Sequence, residues 1–182
     1  MINGVAYHAD ALKPILGRDK ELADLTGHLG LEGEPQPRSV LLAGDAGVGK
    51  TRLLAELVDR WTEAGWRIML GHCLDFADAA LPYLPFSEIF GWLSTIDPVT
   101  ASQLAEEHPA LAHLQPGRRM ISGTAERGGE SLDRGELFDA VHGALATLGR
   151  SAPLLVILED VHWAAQSTRD LLSLLLARRY DS

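Results

Sequence analysis

The stretch Ser39 to Thr51, SVLLAGDAGVGKT, constrains this chain more than any other. Val40, Leu41 and Leu42 make a short apolar run that reads as a buried strand bounded by turn residues. Gly44 follows, then Asp45, Ala46, Gly47 and Val48, then Gly49-Lys50-Thr51, which together spell G-x-x-x-x-G-K-[ST]. Directly behind it Leu53, Leu54, Leu57, Val58 and Trp61 recur at a spacing near 3.6, the apolar face of a helix. Strand, glycine loop and helix are expected in that order.

The residue types have a chemical reason. A loop that wraps a polyphosphate turns its backbone N–H groups inward, in conformations that side chains obstruct, and Gly44, Gly47 and Gly49 remove the obstruction. The free N–H groups and dipole of the first helical turn add a partly positive anion site. Lys50 sits where that dipole repels a cation, so an anion between them resolves the conflict, and Thr51 offers a hydroxyl to Mg²⁺. The competing reading is a glycine-rich turn that happens to precede a helix; the helix and strand around it favour phosphate binding. With only three lysines against thirteen arginines, a lysine inside this loop is harder to dismiss as incidental.

Bulk composition sets the frame. The 182 residues suffice for one domain or a large part of one, and 46% hydrophobic content is ordinary for a globular protein. There is no apolar run of about 18 residues to cross a bilayer. The start MINGVAYHADALKPILG lacks a basic segment followed by an apolar core, so no secretory signal is expected. Cys73 is the single cysteine; it excludes an internal disulfide, fits a reducing cytoplasm and reads as a small core residue. A net charge of −9 argues against direct nucleic-acid binding by this segment. The seven histidines show no metal-ligand spacing with Cys73 or one another, against a zinc site.

Residues 1–15 read as a lead-in and 16–182 as one domain. A helix is expected with Leu22, Leu25 and Leu29 on one face and Gly30 as its stop, followed by a loop through Gly33, Pro35 and Pro37. Arg67 to Cys73 reads as a second strand. Ala80 to Leu93 contains a short helix beginning at Pro85 or Ser87, and Pro98 to Leu114 is helical with an interruption at Pro109. Gln115 to Glu130 reads as a loop, and Leu137, Phe138, Val141, Leu145 and Leu148 mark an amphipathic helix. Leu154 to Leu158 is an unbroken apolar run, the pattern of a parallel strand covered on both faces. A last helix spans Ser167 to Tyr180, with Ser167 and Asp170 as a capping pair.

Glu159 and Asp160, at the carboxyl end of that apolar run, complement Thr51. Ligands bind at the carboxyl ends of strands in such sheets, and Mg²⁺ takes one or two carboxylates together with phosphate oxygens. By position Glu159 faces the metal, directly or through water, and Asp160 orients or deprotonates an attacking water. The bland alternative is a pair of solvated turn residues. No [NT]-K-x-D guanine-reading motif and no D-x-x-G switch follows the loop, which points to adenine. His162 either senses charge at the site or packs half-buried.

On LGRDKEL at 16–22, GDAGVGKT at 44–51 and LLVILEDVHWAAQSTRDLL at 154–172, the sequence resembles the ATPase module of the AAA-like, STAND-type group at the N-terminus of large LuxR-type transcriptional regulators. The resemblance implies an α/β P-loop NTPase fold of three α/β/α layers with a parallel sheet, of the ASCE type. It implies ATP and Mg²⁺ as ligands, ATP-dependent switching, slow hydrolysis in the full-length protein, and a place for Gly17 and Arg18 near adenine or ribose. The chain departs from the group at Ala165-Gln166, where Asp-Pro is usual.

The family's sheet runs 5-1-4-3-2, and this chain stops after the helix following its third strand. The fourth and fifth strands, the sensor residue, the helical lid and any DNA-binding domain are therefore expected to be missing, as in a truncated product. Self-association or partner domains would act through that missing part. Two other classes stay open: a stand-alone ATP hydrolase or kinase-like enzyme, for which Arg118 and Arg119 are the candidate arginine fingers, and a non-hydrolysing nucleotide-binding interaction domain. Origin-recognition-like DNA loading is disfavoured by the acidic balance.

Overall fold

The computed structural model describes residues 17–30, 38–74, 81–114 and 134–178. The expected lead-in over 1–15, the Gly33–Pro37 loop, the whole 115–130 loop, and with it Arg118 and Arg119, lie outside the described residues. The chain divides into two compact units, one of the described residues up to Ile68 with Ala152–Leu155, the other of Met69–Ser151 with Val156–Arg178.

In the first unit, α1 (Asp19–Leu29) and α2 (Lys50–Glu63) are in contact. α1 stops where expected: Gly30 takes φ 71°, a left-handed geometry that costs glycine nothing, and its N–H closes on the Gly27 carbonyl. Arg38 donates to the carbonyls of Gly27 and His28, both at 3.3 Å, satisfying oxygens that the helix end leaves open. α2 buries Leu53, Ala55, Leu57, Val58 and Trp61, the face that the sequence period marks. Trp61 packs against Trp66 with ring centroids 6.3 Å apart.

The run Val40–Leu42 departs from expectation. It forms no strand, and Val40 and Leu41 are 40% and 78% exposed. A strand needs a neighbour to take its N–H and C=O groups. The sheet found among the described residues has two strands, and neither is this segment.

Those strands are β1 (Arg67–His72) and β2 (Leu154–Glu159). The Arg67 N–H donates to the Pro153 carbonyl at 2.8 Å and the Cys73 N–H to the Glu159 carbonyl at 3.0 Å. Equal steps in the same direction along both chains make the pair parallel and bring both carboxyl ends to one edge. β1 is buried at Ile68, Met69 and Leu70, whereas only Ile157 of β2 is buried. The double-sided burial expected of Leu154–Leu158 is therefore not met, since Leu154, Leu155, Val156 and Leu158 are only half-buried; separately, one edge of β2 has no ladder partner among the described residues.

The second unit is mostly helical. α3 (Leu84–Ile96), α4 (Pro98–Glu107), a 3-10 turn (Pro109–Leu114), α5 (Arg134–Ser151) and α6 (Gln166–Ala177) surround a core of Phe86, Ile89, Leu93, Leu104, Leu114, Leu137, Val141, Leu148 and Leu171. Asp97 caps α4 by accepting the Thr100 N–H at 3.1 Å, and Pro98 supplies the fixed φ at its start. The expected Ser167–Asp170 capping pair does not form. α6 begins one residue earlier behind Ala165, so Ser167 lies inside the first turn without a hydrogen bond to its hydroxyl. Asp170 instead accepts from Gln166 at 2.7 Å and Arg134 at 2.9 Å.

Two backbone details fix α3. Tyr83, immediately before it, holds φ 57°, and its N–H donates to the buried Thr168 hydroxyl at 2.9 Å. Gly71 of β1 lies so close beneath the first turn that a Cβ there would run into the Pro85 carbonyl, with the Pro85 Cβ only 2.8 Å away. Gly71→Ala is expected to lower unfolding stability in urea by about 1–3 kcal/mol, as overpacking against fixed backbone does. Gly91→Ala, where a Cβ meets nothing within 4 Å, is expected to stabilise by about 0.4–1 kcal/mol. Equal effects at the two positions would contradict the packing account.

Candidate nucleotide-binding site

The glycine loop runs from Gly44 to the first residues of α2. Gly47 and Gly49 take φ 77° and 94°, conformations that favour glycine, while Gly44 comes close to Val48, 3.2 Å from a Cβ to its Cγ1. Gly49 is the residue before α2; having no side chain, it caps nothing, so the first-turn N–H groups of Lys50, Thr51 and Arg52 keep their donors. The Lys50 ammonium donates to the carbonyls of Gly44 at 2.8 Å and Asp45 at 2.9 Å, two of its three donors, and thus lies over the loop. Asp45, Ala46, Val48 and Thr51 are exposed. Uncapped helix donors, a lysine over them and an accessible hydroxyl form a donor set fitted to a metal-bound polyphosphate.

Arg18, placed by resemblance alone, reaches this loop. It precedes α1 at half exposure, donates to the Val48 carbonyl at 2.6 Å and to Glu21 at 3.4 Å. Gly17 holds φ 75°, the turn that brings Arg18 onto the helix start.

In the second unit, Glu159 ends β2 and Asp160 follows with φ 54°, left-handed backbone that aspartate tolerates better than most residues. A non-glycine outlier of this kind is a place where backbone strain is held by its surroundings. Asp160 is exposed and immediately precedes a short 3-10 turn, Val161–Trp163, with no capping hydrogen bond from its side chain. His162 is exposed too, against the expected half-buried packing; its ring lies 4.8 Å from that of Trp163, itself 45% exposed. Cys73 is buried, and desolvation, then the charges of Asp160 and Glu88, push its thiol pKa up. It stays a neutral core thiol.

Two residues that the sequence reading did not single out stand beside Glu159. His72, the last residue of β1, has Nε2 3.4 Å from a Glu159 carboxylate oxygen and Nδ1 3.1 Å from Glu88 of α3. Applying the strand-end rule to β1 as well as β2 would have marked His72; nothing local marks Glu88. Among the described residues no group of three or more His, Cys, Asp or Glu side chains is arranged to hold a metal ion, and no helix is long and apolar enough to cross a membrane.

The model for the AAA ATPase domain matches residues 14–181. The chain belongs to the AAA ATPase domain family. A protein of Rhizobium meliloti (strain 1021), described as uncharacterized, is 28% identical over 175 residues. That match covers 87% of this chain and 17% of the Rhizobium protein, so the chain spans less than a fifth of its relative. No solved structure matches the chain. As an AAA ATPase domain it carries a P-loop NTPase fold, here α/β with a small parallel sheet, and Gly44–Thr51 has the pattern of its phosphate loop.

Arg18→Ala removes the guanidinium donor to the Val48 carbonyl. Because the ion pair with Glu21 is exposed and worth little, melting should be nearly unchanged. Affinity for a fluorescent ATP analogue is expected to fall about fivefold, on the order of 1 kcal/mol. Unchanged affinity would detach Arg18 from the nucleotide site.

Proposed function

We propose that this chain is a Mg-ATP-binding regulatory ATPase module, of the ASCE type and the STAND-like kind, that changes conformation on ATP binding or hydrolysis. The observation that carries the reading is the loop itself: Gly47 and Gly49 in left-handed backbone, an uncapped α2 behind them, and Lys50 laid across the loop carbonyls. The regulatory part rests on the three stretches that resemble transcription-regulator modules. It is supported by a relative in which the matching region is a small share of a long chain.

In this reading the first-turn N–H groups of α2 and Lys50 hold the β- and γ-phosphates, and Arg18 keeps the loop tip in place. Thr51 and Glu159 are the residues that would hold Mg²⁺, which supplies charge neutralisation at the phosphate oxygens when bound. Asp160 accepts the proton of the water that attacks the γ-phosphorus, with ADP and inorganic phosphate as products. Its left-handed backbone sets the direction of that carboxylate, a geometry that Asn retains and β-branched residues do not.

Lys50→Ala is expected to weaken ATP binding about 10- to 100-fold, in the range of a lost charged hydrogen bond, with the melting temperature unchanged. Glu159→Gln should raise the Mg²⁺ needed for tight binding. Asp160→Asn should slow hydrolysis about 100-fold while binding changes little. Isothermal titration and phosphate release measure these separately. Unchanged affinity in Lys50→Ala would remove the site assignment, and equal losses from both acid variants in every assay would remove the division of roles.

A further inference from the structure

The contacts around His72 extend beyond the two acids of the proposed site. His72, Glu88 and Glu159 come from three elements, β1, α3 and β2, and the three residues lie within the second unit. One Glu88 oxygen meets the same residue twice: it accepts the His72 main-chain N–H at 2.7 Å and lies 3.1 Å from the ring at Nδ1. Held at both points, the imidazole has one direction left for Nε2, and that direction is Glu159, 3.4 Å away. The Glu159 main chain is fixed on the same side, since its carbonyl accepts the Cys73 N–H. Glu159 is the most enclosed of the three side chains, 17% exposed against 32% for His72 and 33% for Glu88.

We propose that Glu88 and His72 are positioning residues that aim the Glu159 carboxylate for Mg²⁺ of the bound nucleotide. This rests on the reading of Glu159 as the metal-facing acid. Half-exposed ion pairs add little to stability, so a purely structural role is a poor account of three polar side chains held in line. A carboxylate oriented before the metal arrives does not lose rotamer freedom on binding, and partners that orient a metal ligand commonly govern affinity 10- to 100-fold. The relay also ties metal affinity to the seat of α3, because that helix carries Glu88 and rests on Gly71, one residue before His72.

The test is a Mg²⁺ titration of the full chain with a fluorescent ATP analogue, alongside analogue affinity in EDTA and thermal melting. His72→Ala and Glu88→Ala should each raise the Mg²⁺ half-saturation about tenfold, with EDTA affinity and melting unchanged. His72→Gln, which keeps an N–H donor, should recover part of the loss. If Glu159→Gln shifts the Mg²⁺ requirement and neither His72→Ala nor Glu88→Ala does, the relay is overturned and the functional reading stands. If Glu159→Gln shifts nothing, the metal role of Glu159 falls and the relay with it. Parallel loss of EDTA affinity and melting temperature would reduce the pair to a structural role and overturn the proposal. Should His72→Ala fail to fold, Glu88→Ala decides by the same criteria.

Discussion

The Cys73 N–H to Glu159 carbonyl bond is the constraint on which the second unit is built. It closes the parallel pairing of β1 and β2 at their carboxyl ends, so His72 and Glu159 end side by side although 87 residues separate them in sequence. Every polar group of interest in that unit follows from this closure. Asp160 leaves the edge in left-handed backbone, Glu88 reaches in from α3, and α3 can come that close only because Gly71 carries no Cβ. A parallel pair needs a long crossover. Here α3 to α5 fill it and supply most of the buried side chains of the unit.

The glycine loop depends on a different constraint, local rather than tertiary. Its shape comes from two left-handed glycines, a lysine bonded to carbonyls five and six residues back, and the helix that starts at once behind. None of these requires a neighbouring strand. The loop therefore holds its form although Val40–Leu42 ahead of it has no ladder partner among the described residues and leaves Leu41 mostly exposed.

What could be read from the sequence divides along that line. α2 and α5 were legible because their apolar residues recur near 3.6, and β1 and β2 because short apolar runs are bounded by turns and polar residues. Gly30 was legible as a stop because the helix end needs a left-handed residue. Val40–Leu42 misled because an apolar run has the composition of a strand, whereas being one depends on a partner elsewhere. Ser167 misled because capping depends on which residue has extended backbone, and here Ala165 does. His162 is exposed beside Trp163, an outcome that its neighbours in sequence do not dictate. At the candidate site the glycine loop and both acids were visible as motifs. Glu88 was not, because it lies 16 residues beyond His72 and is joined to it by folding alone.

Membership of the AAA ATPase domain family and the form of the loop both point to nucleotide binding, and the proposed function adds a metal ion shared by Thr51 and Glu159. The direct test is a double-mutant cycle on Mg²⁺ half-saturation at saturating nucleotide, using Thr51→Val and Glu159→Gln. If both residues serve a single ion, the second substitution does little once the first is made, and the coupling is on the order of 1 kcal/mol or more. Additive effects, within about 0.5 kcal/mol, would mean that hydroxyl and carboxylate act independently, contradicting a shared metal site.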